Sequence, residues 1–218
     1  VSMNSCTSAL ECAVLCLGKK GEIIIPSFTW VSTANSIINS GCIPVFADID
    51  LDSRNIDPDS IIKKITKKTI AIMVVHFGGL PCNMDKILRI CSKFKLQLIE
   101  DSAETLGATF KGKFTGSFGM GCFSFFPTKN ITTTEGGMLT VKTKKQYETA
   151  KKIAAHGIHG KRKFSWNREA TLPGHNFRMP NHLASLGCSQ LSKLNKFNLK
   201  RRKIAKKYDL ELSKLSKE

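Results

Sequence analysis

The sequence is short of acid, of aromatic side chains and of long apolar runs. Only 17 of its 218 residues are Asp or Glu, against 34 Lys and Arg. The shortage lies at one end: residues 142–218 hold 20 Lys and Arg with 5 acids, whereas residues 1–141 hold 14 with 12. A basic tail invites a nucleic-acid or membrane-surface reading. The scarcity of aromatics argues against the first, because residues 200–215 carry a single one, Tyr208, a poor platform for stacking bases. In that stretch Ile204, Tyr208, Leu212 and Leu215 recur at spacings of four and three, which reads as an amphipathic helix with a solvated basic face. No apolar run approaches the roughly eighteen residues that a membrane span needs. Val1-Ser2-Met3-Asn4 offers neither the basic segment nor the apolar core of a signal peptide, so the chain is expected to begin inside a domain of a cytoplasmic protein. None of the eight cysteines forms a Cys-x-x-Cys pair, and most lie in apolar runs. They read as reduced core thiols, with neither metal site nor disulfide framework expected. Repeats and low-complexity segments are lacking too.

What is present is an alternation of β-rich and helical patterns. Strands are predicted at 22–25, 44–47, 70–75 and 96–100, then at 122–125 and 137–141. The first four are continuous apolar runs, as when both faces of a sheet are covered. Helices are predicted near 7–17, 29–40, 58–65 and 84–95, with start signals at Thr7, Thr29 and Asp57-Pro58 and closing glycines at Gly18 and Gly41. Strands and helices alternating at this spacing imply right-handed crossovers and a largely parallel sheet. Further helices are expected at 144–155 and 181–197, followed by the basic one, with a long polar loop over 156–174.

Ligands of open α/β sheets bind beyond the carboxyl ends of the strands. There the sequence places Asp101-Ser-Ala-Glu104 after one strand, and Ser124 with Pro127-Thr128-Lys129-Asn130 after another. A buried acid at a strand end is costly unless a cation answers it. Lys129 reads as a phosphate clamp, a Schiff-base nucleophile or a plain loop lysine, and taken alone the loop reading is favoured. Asn4-Ser5-Cys6-Thr7-Ser8 sets hydroxyls at a helix start, a ready anion site. An acid to protonate a pyridine nitrogen, a lysine and a phosphate-binding helix start are together what pyridoxal phosphate (PLP) requires.

The sequence resembles the DegT/DnrJ/StrS family of PLP-dependent, fold-type I sugar aminotransferases. The resemblance rests on an ordered set: Asn-Ser-Cys-Thr-Ser-Ala-Leu at 4–10, Pro-Ser-Phe-Thr-Trp-Val-Ser-Thr-Ala-Asn at 26–35, Val-His-Phe-Gly-Gly at 75–79 and Ile-Glu-Asp-Ser-Ala-Glu at 99–104. The strongest segment is Phe-Ser-Phe-Phe-Pro-Thr-Lys-Asn-Ile-Thr-Thr-Thr-Glu-Gly-Gly at 123–137, followed by Gly-His-Asn-Phe-Arg-Met at 174–179. It implies an α/β large domain, a mostly parallel sheet flanked by helices and truncated at both ends. Residues 1–195 would form this PLP-binding domain, and 196–218 a linker helix toward a missing small C-terminal domain. It also implies roles: Lys129 as the Schiff-base lysine, Asp101 on the pyridine nitrogen, Ser124 with Thr7 and Ser8 on the phosphate, Trp30 stacked on the ring, Glu104 near the ring hydroxyl, and Asn176 reaching the phosphate of a neighbouring subunit. The expected reaction moves an amino group, with glutamate as the expected donor, to C4 of a nucleotide-linked keto-sugar in a homodimer, in polysaccharide biosynthesis. Two rival readings are a PLP- or PMP-dependent sugar dehydratase of the same family, in which a histidine characteristically replaces the lysine, and a non-catalytic basic or nucleic-acid-binding protein.

Overall fold

A computed structural model describes residues 1–158, 166 and 168–215. In chain order it runs β1 (Ser2–Met3), α1 (Cys6–Leu15), β2 (Glu22–Pro26), α2 (Val31–Asn39), β3 (Ile43–Ala47), α3 (Pro58–Lys64), β4 (Thr69–Val75), α4 (Met84–Phe94) and β5 (Gln97–Asp101). A two-stranded hairpin, β6 (Thr109–Phe110) and β7 (Lys113–Phe114), precedes β8 (Met120–Ser124) and β9 (Gly137–Thr140). Helices α5 (Lys144–Ala154), α6 (Asn181–Leu191) and α7 (Leu194–Leu215) follow. One seven-stranded sheet orders them β3-β2-β4-β5-β8-β9-β1. The pairs β3–β2, β2–β4, β4–β5 and β5–β8 are parallel; β9 runs against both β8 and β1.

The apolar runs alternate between two cores. Ile23, Ile25, Ala71, Met73 and Ile99 pack with Leu10 of α1, Ile37 of α2 and Ile153 of α5. Their sequence neighbours Ile24, Ile72, Val74 and Leu98 pack with Ile61 of α3 and Met84 and Ile87 of α4 on the other face. A strand that is apolar at every position is thus a strand covered twice, since successive side chains point to opposite faces.

Several boundaries differ from the expectations. Helix α1 starts from Ser5, whose hydroxyl accepts from the Ser8 amide at 3.0 Å, and not from Thr7. Helix α2 starts from Trp30 without a side-chain cap; the hydroxyl of Thr29 instead meets that of Thr33 at 2.8 Å. The helix expected over 181–197 ends at Leu191, and α7 begins at Leu194 after a short turn. Part of the expected loop at 156–174, residues 159–165 and 167, lies outside the described residues. Both closing glycines behave as expected, with φ of 67° at Gly18 and 71° at Gly41. Gly137 has a different reason to be glycine: a Cβ there would lie 2.3 Å from the Ser5 carbonyl carbon and oxygen, so only glycine lets β9 pass against the start of α1.

Strand β5 ends in two adjacent acids that face opposite sides, and they are satisfied very differently. Glu100 is fully buried and accepts four hydrogen bonds. These come from the amides of Gly116 (2.8 Å), Phe118 (2.8 Å) and Gly119 (2.7 Å) and from Nε2 of buried His76 (3.1 Å). His76 Nδ1 accepts from the Cys82 amide at 3.1 Å, which leaves the ring proton on Nε2 and fixes the tautomer. In Glu100→Gln an amide NH2 faces donors where a carboxylate oxygen accepted, so charge-assisted bonds are lost and a buried clash is created. The expected destabilisation is about 3 kcal/mol. Chemical denaturation of the two proteins checks this, and a loss well below 1 kcal/mol rules it out.

Candidate active site

Asp101, the second acid, has no comparable set of partners. It is 5% exposed; one oxygen accepts from buried Thr33 of α2 at 3.0 Å and the other from the Ala103 amide at 3.2 Å. Burial pushes its carboxyl above the usual carboxylate range, and these two hydrogen bonds, His76 and the Lys129 ammonium offset only part of that rise. No ion pair reaches Asp101 among the described residues. Asp101 is thus a buried carboxylate answered by two neutral hydrogen bonds and by no close cation among the described residues.

Asp101 opens on a cavity of about 590 Å³, to which β4, β5 and β8 and the start of α1 contribute. Lys129 reaches the same cavity from the loop after β8. It is 22% exposed at its side chain, and its Nζ lies 3.2 Å from Glu104 Oε1. The other oxygen of Glu104 accepts from the Gly78 amide at 2.9 Å, which fixes the carboxylate across the loop after β4. Ser124 stands at the end of β8 on the cavity wall and accepts from the Phe126 amide at 3.3 Å.

The cavity's far end is the start of α1. Ser5, Cys6 and Thr7 line it, and Thr7 donates to Ser32 of α2 at 3.0 Å. Ser8 sits one step behind: it is buried, donates to Asn4 at 2.6 Å and meets Ser5 at 2.9 Å, and it is not part of the cavity wall. The structure thus places Ser5 on the wall beside Thr7 and keeps Ser8 behind it. The Cys6 thiol is pushed up by burial and by the charge of Asp101, so it remains a neutral wall group. Trp30 is on the rim, 77% exposed, with Phe28 and Phe77 nearby at a ring separation of 4.7 Å. Such an apolar rim with an acid, an amine and a helix start on the walls fits a flat, charged, phosphorylated heteroaromatic group.

Asn176 lies outside this wall. It bridges to Ala155, its backbone carbonyl accepts from Asn4 at 3.2 Å, and its side chain accepts from Arg178 at 3.3 Å. Of the expected residues, Thr7, Trp30, Asp101, Glu104, Ser124 and Lys129 therefore share one cavity, whereas Ser8 and Asn176 do not line it. Thr33 lies within the 26–35 segment among several hydroxyl residues, and only the fold shows which of them meets Asp101.

Residues 1–218 match the DegT/DnrJ/EryC1/StrS aminotransferase family over their whole length. The chain belongs to that family. Within the family's relatives, it is 40% identical over 220 residues to the spore coat polysaccharide biosynthesis protein SpsC of Bacillus subtilis, covering 95% of this chain and 56% of that protein. Its fold superposes with a TM-score of 0.90, at 33% identity, on Helicobacter pylori PseC, an aminotransferase involved in the biosynthesis of pseudoaminic acid; 96% of this chain and 57% of that one are covered. A TM-score of 0.88 at 34% identity relates it to the E. coli GDP-4-keto-6-deoxy-D-mannose-3-dehydratase with bound hydrated PLP, over 94% of this chain and 59% of that one. The chain thus spans somewhat more than half the length of the family members it matches. In fold it is the α/β, mostly parallel architecture of the PLP-dependent sugar aminotransferases, with helices on both faces of the sheet.

Proposed function

We propose that this chain is the cofactor-bearing part of a PLP-dependent aminotransferase that delivers an amino group, from an amino acid such as glutamate, to a nucleotide-linked 4-keto-sugar. Residues 1–195 make up the cofactor-binding domain, and α7 leads toward the remainder that the longer relatives possess. The observation that carries the reading is the pairing of a buried, cation-seeking Asp101 with an amine, Lys129, on one cavity.

When bound, PLP supplies an electron-accepting ring on which an amino acid can give up its α-proton and its nitrogen. The chain's own residues do the rest. Asp101, at the bottom of the cavity, holds a proton on the ring nitrogen, and Thr33 and the Ala103 amide keep its carboxylate aimed. The amides at the start of α1, with Thr7 and Ser124, take the phosphate. Trp30, on the cavity rim, would cover one face of the ring. Lys129 Nζ would hold the cofactor and, once freed, would serve as the amine that takes up and returns the substrate's α-proton, with Glu104 fixing that amine. Asn176, exposed beside Asn4, serves the phosphate of a partner subunit in a homodimer.

The test is a PLP titration of the full chain, followed by incubation with glutamate and a panel of nucleotide-linked keto-sugars. The expected result is a visible absorption band, a borohydride-stable label on Lys129 and an aminated sugar. A sugar that loses a hydroxyl without gaining nitrogen would make the protein a dehydratase instead. Salt-dependent nucleic-acid binding with no PLP uptake would leave α7 as the functional element.

A further inference from the structure

The start of α7 touches the lysine loop in a way that a mere connector to another domain does not need. Leu194 and Phe197 bury against Phe123, Phe125 and Ile131, which fixes the first turn of α7 to the end of β8. One turn on, Arg201 forks onto two successive carbonyls: Nη1 donates to Asn130 O at 3.0 Å and Nη2 to Lys129 O at 3.3 Å. Asn198 bridges two loops, its Oδ1 accepting from Asn130 Nδ2 at 2.9 Å and its Nδ2 donating to Leu106 O at 3.1 Å. The approach is close, since a Cβ on Gly107 would lie 2.9 Å from Asn198 Nδ2, and Gly107 has φ of 87°.

These contacts converge on one ion pair. Lys129 belongs to the loop held by Arg201, Glu104 lies two residues before Leu106, and their side chains meet at 3.2 Å. The lysine loop's remaining hydrogen bonds are short-range: Lys129 N to Phe126 O, Thr132 Oγ1 and Thr133 N to Phe125 O. Among the described residues, Arg201 is the partner that the carbonyls of residues 129 and 130 find. Two donors of a planar guanidinium on adjacent carbonyls fix the orientation of the peptide between them, and hence the direction in which Lys129 leaves the backbone.

We propose that Arg201 and Asn198 are positioning residues that set the Lys129 amine for reaction with the cofactor. The proposal rests on Lys129 being the cofactor-bearing lysine. The amine and the cofactor's aldehyde join as C=N and release water, and this needs the nitrogen to approach one carbon along a narrow path. A displacement of the order of 1 Å is enough to slow such a step by about one to two decades. The fixed fork also distinguishes arginine from lysine, because an ammonium is a point donor without a rigid pair.

The experiment follows the rate at which Lys129 acquires PLP. Full chain, with any sequence that flanks it in the gene, is mixed with PLP and quenched with borohydride at timed intervals. Borohydride delivers hydride to the C=N and leaves a stable secondary amine, which is assigned to a lysine by peptide mass. Arg201→Met is expected to slow labelling of Lys129 by about tenfold, with Arg201→Lys in between. Asn198→Ala, which removes no charge, is expected to slow it in the same direction. Non-covalent PLP affinity, measured in a Lys129→Ala background, is expected to stay unchanged in both variants, as is the folded fraction at the assay temperature. Labelling of Lys129 at the wild-type rate in Arg201→Met and Asn198→Ala overturns the positioning role and leaves the Lys129 assignment standing. So does a slowing that merely tracks the unfolded fraction. Wild-type label on a different lysine overturns the site assignment itself, and the positioning role with it.

Discussion

Asp101→Asn is expected to lower transamination by at least about three decades, which at roughly 1.4 kcal/mol per decade is about 4 kcal/mol of transition-state stabilisation. An asparagine cannot hold a proton on the ring nitrogen, so the ring would lose most of its capacity to accept electrons, whereas PLP would still bind through Lys129 and the phosphate contacts. The same substitution is expected to stabilise the cofactor-free protein. Burial raises the Asp101 pKa in the fold above its unfolded value near about 3.9. Its ionised form therefore opposes folding at neutral pH. That opposition fades as pH falls through the raised pKa, and it is gone below the unfolded value. Without PLP, Asp101→Asn should melt higher than the parent near neutral pH by a few degrees, about 2–4 °C per kcal/mol for a chain of this size. The gap should close as pH falls toward 4. With PLP the order should reverse, because only the carboxylate gains the ring nitrogen as a partner. Activity close to that of the parent, or a lower melting point without PLP at neutral pH, would show that Asp101 is a satisfied structural acid like its neighbour Glu100.

The contrast between those two acids shows where reading the sequence reaches its limit. Both stand at the end of the run 96–100 and its extension, and the run itself was legible because a strand covered on both faces must be apolar throughout. That one of them would need a cation followed from burial alone. Which one had a full set of donors did not, since three of Glu100's partners are backbone amides of the 116–119 loop, and an amide leaves no trace in residue type. The strands missed altogether, Ser2–Met3 and the hairpin at Thr109–Phe110 and Lys113–Phe114, are two residues each, too short for a period to show. The start of α1 lies two residues before Thr7, at Ser5, because Asn4, Ser5, Thr7 and Ser8 are all competent caps and residue type alone does not choose among them. The break between α6 and α7 has no glycine or proline to mark it. Helix α7 was read as amphipathic, yet Ile204, Tyr208 and Leu212 remain about 55–64% exposed; its contacts with this domain come from Leu194, Phe197, Asn198 and Arg201 at its beginning. Of the basic stretch that suggested nucleic acid, Arg201 is thus committed to the loop that carries Lys129.

The second large effect concerns Lys129 and the expected neighbour together. On the proposed reading Lys129→Ala removes the group that attaches the cofactor and carries the proton, and a loss of about four decades or more in turnover is expected. Asn176→Ala leaves Lys129 in place, and its effect depends on whose phosphate Asn176 serves. Asn176 is exposed and held beside Asn4, one residue before Ser5 on the cavity wall, yet it does not line its own cavity. An exposed residue held beside the segment that leads into the cavity, yet outside its wall, suits a two-fold interface in which each chain completes the other's site. If so, mixing the two variants should restore activity. In a heterodimer both lesions fall in one pocket, and the other pocket combines an intact Lys129 with an intact Asn176. Random exchange makes about half the dimers mixed, each with one whole site, so recovery should approach about a quarter of the wild-type sites. The measurement is turnover of the mixture against the sum of the separate variants, with exchange verified by two affinity tags. If exchange is complete and turnover does not exceed that sum, the site is not shared and Asn176 is a local partner of Asn4 and Arg178. If Asn176→Ala alone turns over like the parent, Asn176 has no part in holding the phosphate on either side of the interface.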